Sequence, residues 1–256
     1  MDHKASQPFV NQPIPRKVYN LIERVSAIIY PPHCLLCGDS GHRDLDLCPA
    51  CYRDLPWNEH HCPRCAVPMQ PPPGGTVNSP CGQCLADPPA FEHSIAALEY
   101  NPTTGWLVSG LKFRKQLSHA RLLGQLLAEQ VSATASWLPD RIIPVPLHRQ
   151  RLRERGYNQA LEIARPVARK LGLPLDIRTA HRQRHTEAQS ELKRKARQKN
   201  MRGAFSVARS LEGQSIAIVD DVVTSTATVA ELAKALCEAG AERIQVWAVA
   251  RAPAPK

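Results

Sequence analysis

Apolar residues follow two regimes along this chain, and the change comes near Phe91. Before it, the periodic stretch is residues 16–30, where Val18, Leu21, Ile22, Val25, Ile28 and Ile29 recur at helical spacing and predict a short packing helix with one apolar face. Pro31 and Pro32 end it, because the residue before a proline is pushed out of the helical region. Residues 1–15 are polar and predict an unstructured lead. Residues 33–85 show no long periodicity, and the Pro71-Pro72-Pro73-Gly74-Gly75 run predicts a loop inside them. After Phe91, apolar runs alternate with helical patterns. Residues 141–146 (RIIPVP), 215–219 (SIAIV) and 243–249 (RIQVWAV) read as strands, and residues 157–171 and 228–239 as helices. Pro166 predicts a kink or break in the first helix, and Gly240 stands just past the second. Strands alternating with helices predict an α/β domain, a parallel sheet flanked by helices with right-handed crossovers. The expected division is a lead and short helix over 1–32, a small module over 33–90 and the α/β domain over 91–256.

The module carries eight of the nine cysteines, as four CxxC pairs: Cys34/Cys37, Cys48/Cys51, Cys62/Cys65 and Cys81/Cys84, with gaps of 10, 10 and 15 residues. A CxxC turn presents two thiolates one tetrahedral edge apart, and two such turns close a four-thiolate zinc shell. Eight thiols therefore match two zinc ions, whether the pairs combine in sequence or interleave. His33, His42, His60 and His61 lie nearby and are capable of replacing a thiolate. A shell filled by four cysteines has no open position for water, so the zinc is expected to be structural. It supplies the folding free energy that so short and loop-rich a module lacks. Cys237 stands apart on the apolar face of the last helix, as a small buried hydrophobe. The N-terminus has no hydrophobic segment with a cleavage site, and no stretch reaches the ~18 apolar residues of a membrane span. A cytoplasmic location without membrane insertion is expected, and a reducing compartment favours metal binding over disulfides.

Charge narrows the partners. The formal net charge is +10, and residues 141–202 hold 17 Lys/Arg against 5 Asp/Glu, which draws phosphate-bearing partners without choosing among nucleotides, nucleic acid and lipid headgroups. Residues 215–228 (SIAIVDDVVTSTAT) carry the more specific chemistry. A buried parallel strand delivers Asp220 and Asp221 to the carboxyl edge of the sheet, where open α/β folds bind ligands. The hydroxyl-rich turn 224–228 then opens a helix, whose first amides suit an anion. Carboxylates beside a phosphate site suit sugar hydroxyls or a hydrated Mg²⁺. A generic nucleotide site, or an aspartate pair capping a helix, fits the same residues.

VDDVVTSTATVAE resembles the diphosphate-sugar signature of type I phosphoribosyltransferases. The resemblance implies that Asp220 and Asp221 hold ribose hydroxyls of 5-phosphoribosyl diphosphate (PRPP) and that Thr224, Ser225, Thr226, Ala227 and Thr228 wrap its 5′-phosphate. The family usually has glycine where this chain has Thr226, so strain or crowding is expected there. Three further blocks resemble the ComF/GntX branch: Leu111-Lys112-Phe113-Arg114; Pro144-Val145-Pro146-Leu147-His148 continuing to Arg155-Gly156-Tyr157-Asn158-Gln159; and Thr186, Gln189, Arg194, Arg197 and Asn200 leading to Arg202-Gly203-Ala204-Phe205. With the cysteine module ahead and the signature behind, they cover nearly all of residues 31–251. The resemblance implies a double zinc ribbon preceding a type I phosphoribosyltransferase-like domain. In it, Arg155 and the amides near Gly156 face pyrophosphate, and Arg194 and Arg197 sit on a mobile basic flap. Mg²⁺ bridges the diphosphate. It also implies a link to natural transformation and DNA uptake. Three functions follow: phosphoribosyl transfer to an acceptor that no residue singles out, single-stranded DNA binding, and a PRPP-sensing scaffold for a competence helicase or DNA-uptake channel protein. Tyr157 and Phe205 are the stacking platforms available to the basic segment for single strands.

Overall fold

The structure, a computed structural model, describes residues 31–184 and 201–254 apart from 43, 72–74 and 76. The helix expected over 16–30 lies outside the described residues. The chain divides into two compact units, Met1–Arg53 and Asp54–Lys256.

In the smaller unit Cys34 N–H donates to Asp39 O at 2.7 Å and Gly38 N–H to Cys34 O at 2.9 Å, closing a knuckle in which Gly38 takes φ +82°. Helix α1 (Pro49–Arg53) follows and carries Cys51. The larger unit opens on the same pattern. Cys62 N–H donates to Val67 O and Ala66 N–H to Cys62 O, both at 2.9 Å, with Ala66 at φ +54° in the glycine's place. Helix α2 (Gly82–Ala86) follows, with Cys81 as its N-cap residue.

The rest of the larger unit runs β1 (His93–Glu99), α3 (Pro102–Arg114), α4 (Leu117–Thr134), β2 (Arg141–Pro144), α5 (Arg149–Arg155), α6 (Gln159–Leu171), β3 (Ala180–Arg182), β4 (Phe205–Val207), β5 (Ser215–Val223), α7 (Ala227–Glu238) and β6 (Arg243–Arg251). The sheet order is β1-β6-β5-β2, parallel throughout, and β3 and β4 form a separate antiparallel pair. This is the expected α/β architecture. Local chemistry sets the helix starts: Asn101 Oδ1 accepts from Thr104 N–H at 2.9 Å ahead of Pro102, and Asn158 Oδ1 accepts from Ala160 N–H at 3.1 Å.

Period-two alternation sorts the strand residues onto two faces. Ile143, Ile216, Ile218, Ile244 and Val246 share one core with Leu232 and Leu236 of α7 and Phe205 of β4. Helices α4 and α6 pack together on the other face, burying Leu122, Leu126, Ile163 and Val167 completely. Helix α6 continues unbroken through Pro166. Its neighbour makes this possible: a Cβ on Gly124 of α4 would lie 2.3 Å from Pro166 Cγ and 2.6 Å from Ile163 O, so the proline ring occupies the space that glycine vacates. Strand β5 extends past both aspartates to Val223, because β6 goes on pairing with it at Asp220↔Ala248 and Val222↔Ala250. Ladder hydrogen bonds there override the low strand propensity of aspartate.

Candidate functional site

The eight expected ligands form two clusters, Cys34/Cys37/Cys48/Cys51 and Cys62/Cys65/Cys81/Cys84, each with its sulfurs within 4.8 Å of one another. Of the two pairings open to the sequence, the pairs combine in order. Cys37 and Cys48 Sγ are 3.7 Å apart, as are Cys65 and Cys81 Sγ. A tetrahedron with Zn–S bonds of about 2.3 Å has edges of about 3.8 Å, so the clusters fit structural zinc. The thiols cannot all ionise unaided. Cys62 is held down to about 4, first by a hydrogen bond from Cys65, while burial pushes Cys84 up to about 12. A divalent cation is what lets four thiolates share one site.

At the carboxyl edge of β5 the two aspartates point to opposite faces. Asp221 is 7% exposed and lies on the α4 side, with Lys112 Nζ of α3 at 2.7 Å. Asp220 lies on the α7 side, half-buried, and accepts the Asp221 N–H at 2.9 Å. Burial, then the negative charge of Asp221, pushes Asp220 up to about 7, and Lys112 and Arg182 offset only part of this. The turn after β5 leaves Thr224 exposed and brings Thr226 to φ +57° as the N-cap residue of α7. That conformation aims its hydroxyl at Ser225 O, 2.6 Å away, so no side chain caps the helix and its first amides stay available to an anion. A cavity of about 350 Å³ borders Thr226 and Ala227, with Arg202 and Lys234 on its wall.

Thr226 is thus a β-branched residue in the left-handed region, which costs about 1–2 kcal/mol. Thr226→Gly is expected to raise stability by about 1 kcal/mol, read as an upward shift of the thermal midpoint; an unchanged or lower midpoint would show that the threonine is not strained.

Arg155 stands at the end of α5, where Nη1 donates to Gln159 Oε1 at 3.0 Å and the guanidinium lies 5.9 Å from the Phe113 ring centroid. Gly156 N–H is taken by Leu152 O at 2.8 Å, so this amide closes the helix. Asn158 Nδ2 donates to Val145 O at 2.9 Å and fixes the loop to β2. Arg194 and Arg197, with Thr186, Gln189 and Asn200, lie outside the described residues. The aromatic platforms differ from expectation. Phe205 is 7% exposed in the core, and the Tyr157 hydroxyl donates to Leu111 O, whereas Phe113 is 73% exposed beside Lys112 and Arg155. Cys237, expected to be buried, is exposed, with Sγ 3.5 Å from Ala90 O. Lys112 and Phe113 were visible in the sequence only as parts of the LKFR block; no local pattern indicated their place at the site.

A double zinc ribbon domain model matches residues 25–85, and a phosphoribosyl transferase domain model matches residues 158–256. A DNA utilization protein YhgH from Salmonella typhimurium is 36% identical over 80% of this chain and 90% of its own length. Competence protein F from Haemophilus influenzae is 33% identical over 86% and 96%. Competence protein ComFC from Bacillus subtilis is 27% identical over 81% and 89%.

Proposed function

The chain belongs to the ComF family, and from that premise we propose that it binds PRPP at the carboxyl edge of β5 and serves the handling of external DNA, as the names of its relatives suggest. One observation carries the reading: the end of a central parallel strand carries two carboxylates, and the uncapped N-terminus of α7, on the side that Asp220 faces, follows it. Asp220 and Asp221 accept hydrogen bonds from ribose hydroxyls, residues 224–228 hold the 5′-phosphate, and Arg155 faces the diphosphate. Arg194 and Arg197 are the further cations assigned to offset charge on departing pyrophosphate. Mg²⁺ carried with the diphosphate would neutralise charge on the leaving group. In the transfer step the bond from C1 of the ribose to pyrophosphate breaks, and its electron pair leaves with pyrophosphate. A bond to the acceptor nucleophile forms, and the acceptor's proton passes to solvent. The test is pyrophosphate release across a panel of nucleophilic acceptors, with and without single-stranded DNA. Release that no acceptor stimulates would remove the transferase step.

The protonation of Asp220 adds a pH dependence. Hydroxyl donors bind the ionised carboxylate more strongly than the protonated one, and Asp220 ionises near pH 7. PRPP affinity is therefore expected to hold above about pH 7 and to fall below it, approaching about tenfold per pH unit. Calorimetry in two buffers of different ionisation heat should show a proton released on binding at about pH 6. Affinity independent of pH from about 5.5 to 8 would contradict the assignment.

A second reading, single-stranded DNA binding, is favoured by Phe113. An exposed ring with the Arg155 guanidinium 5.9 Å from its centroid suits a stacked base beside a phosphate. Phe113→Ala is expected to weaken oligonucleotide binding by roughly tenfold, since one base stack is worth about 1–3 kcal/mol. Equal affinity at equal salt would sink this reading. A helicase or DNA-uptake channel protein docked on the zinc module is the partner that a scaffold role would require. The four-thiolate centres suit a reducing cytoplasm, and among the described residues no helix is long and apolar enough to cross a membrane.

A further inference from the structure

Arg251, the last residue of β6, is 5% exposed, and its guanidinium is spent on backbone carbonyls. Nε donates to Cys65 O at 2.9 Å, while Nη1 donates to Val223 O at 3.0 Å, Thr224 O at 2.5 Å and Ala252 O at 2.8 Å. Cys65 is a ligand of the second zinc cluster, and Val223 and Thr224 are where β5 turns into the phosphate loop. One planar cation thus bridges a metal knuckle and the root of the loop. Burial disfavours its charge, and the sulfurs of Cys65, Cys81 and Cys84 on the same side offset part of that cost. A zinc ion with four thiolates carries a net charge of about −2, the counter-charge that a buried guanidinium needs. A separate contact joins the same two parts. Helix α2, through Gln83 and the ligand Cys84, walls the 350 Å³ cavity that borders Thr226 and Ala227. Val223 O also accepts the Ala252 N–H at 3.0 Å.

We propose that the second zinc centre is a working part of the phosphate loop, with Arg251 the positioning residue that transmits its state, whereas the first centre, in the smaller unit, lacks this role. With zinc in place, the knuckle carbonyl and the guanidinium hold the carbonyls of residues 223 and 224 in one arrangement, which leaves the amides of residues 226–228 aimed outward. Without zinc the knuckle loosens, the guanidinium loses its counter-charge, and the loop samples other conformations. For the loop's ligand, this inference rests on the PRPP reading above. Coupling is reciprocal, so a ligand on the loop must in turn retain the second zinc.

Amide hydrogen exchange on the full chain tests the proposal without any ligand. Cys84→Ser, which disables the second centre, is expected to speed exchange over residues 224–228 by about tenfold. Cys37→Ser, which disables the first, is expected to leave those amides as in the wild type. Arg251→Lys keeps the charge but loses the fork of donors. It is expected to retain two zinc ions by metal analysis and still to show the faster loop exchange. Should Cys84→Ser lose protection throughout β5 and β6 as well, Arg251→Lys decides. Loop exchange unchanged in Arg251→Lys, or equally fast in Cys37→Ser, would overturn the proposal. Calorimetry with PRPP and Mg²⁺ on the same proteins separates the two ideas. Absence of binding to the wild type counts against the PRPP site alone, whereas binding unaltered in Arg251→Lys counts against the coupling.

Discussion

Asp220→Asn is expected to lower PRPP affinity by about 10- to 100-fold, the worth of a hydrogen bond to a charged acceptor, while leaving the protein at least as stable at about pH 8. The two halves have one cause. Burial and the neighbouring Asp221 push Asp220 up to about 7, above its unfolded value. The stability it contributes by holding a proton is therefore full below about pH 4 and lost as pH rises to about 7. At pH 8 the ionised carboxylate is a cost that the amide removes, as is common where a fold keeps a strained charge for binding. Asp221→Asn should behave differently, because Lys112 sits 2.7 Å from that carboxylate; affinity and stability should fall together. The double variant should show no measurable binding. The checks are calorimetry and thermal unfolding on both single variants. PRPP affinity unchanged in Asp220→Asn would remove Asp220 from the site, and unchanged affinity in the double variant would remove the pair.

Cys37→Ser is expected to halve the zinc content and to melt the residues 31–53 while the larger unit stays folded. The physical reason is the shortage of core in the smaller unit. Among its described residues the buried apolar groups are Cys34, Leu47 and Cys48, far too little to offset the entropy of ordering the chain. Structural zinc supplies about 10–16 kcal/mol in modules of this kind, so losing one thiolate removes most of the stability there. Metal analysis should give about one zinc per chain, limited proteolysis should cut before Asp54, and the main thermal transition should hold its midpoint. Retention of two zinc ions, or an uncut smaller unit, would show that the module folds by other means.

Much of this arrangement was legible in the sequence, for identifiable reasons. The four CxxC pairs specify their own chemistry, whereas their combination in order, which the sequence left open against interleaving, comes from the structure. The apolar run 215–219 announced a buried strand, but its continuation through Asp220 and Asp221 depends on pairing with β6, whose residues lie further along the chain. Pro166 looked like a helix breaker because the compensating feature, Gly124, sits on another helix. Thr226 stood out against the glycine expected there, and its positive φ bears that out. Lys112, Arg251 and Phe113 were beyond local reading. Each acts through a neighbour brought close only by the fold: Asp221, the Cys65 carbonyl, and Arg155. Phe205 shows the converse, since an aromatic residue in a basic segment looked like a stacking platform until its burial against α7 was known.

The central claim, that the end of β5 and the start of α7 cradle a phosphorylated sugar, is tested most directly by calorimetric titration of the full chain with PRPP and Mg²⁺ at about pH 8. The expected result is one PRPP bound per chain, with slower amide exchange over residues 224–228 in the complex. No heat of binding, together with unaltered exchange of those amides at saturating PRPP, would contradict it.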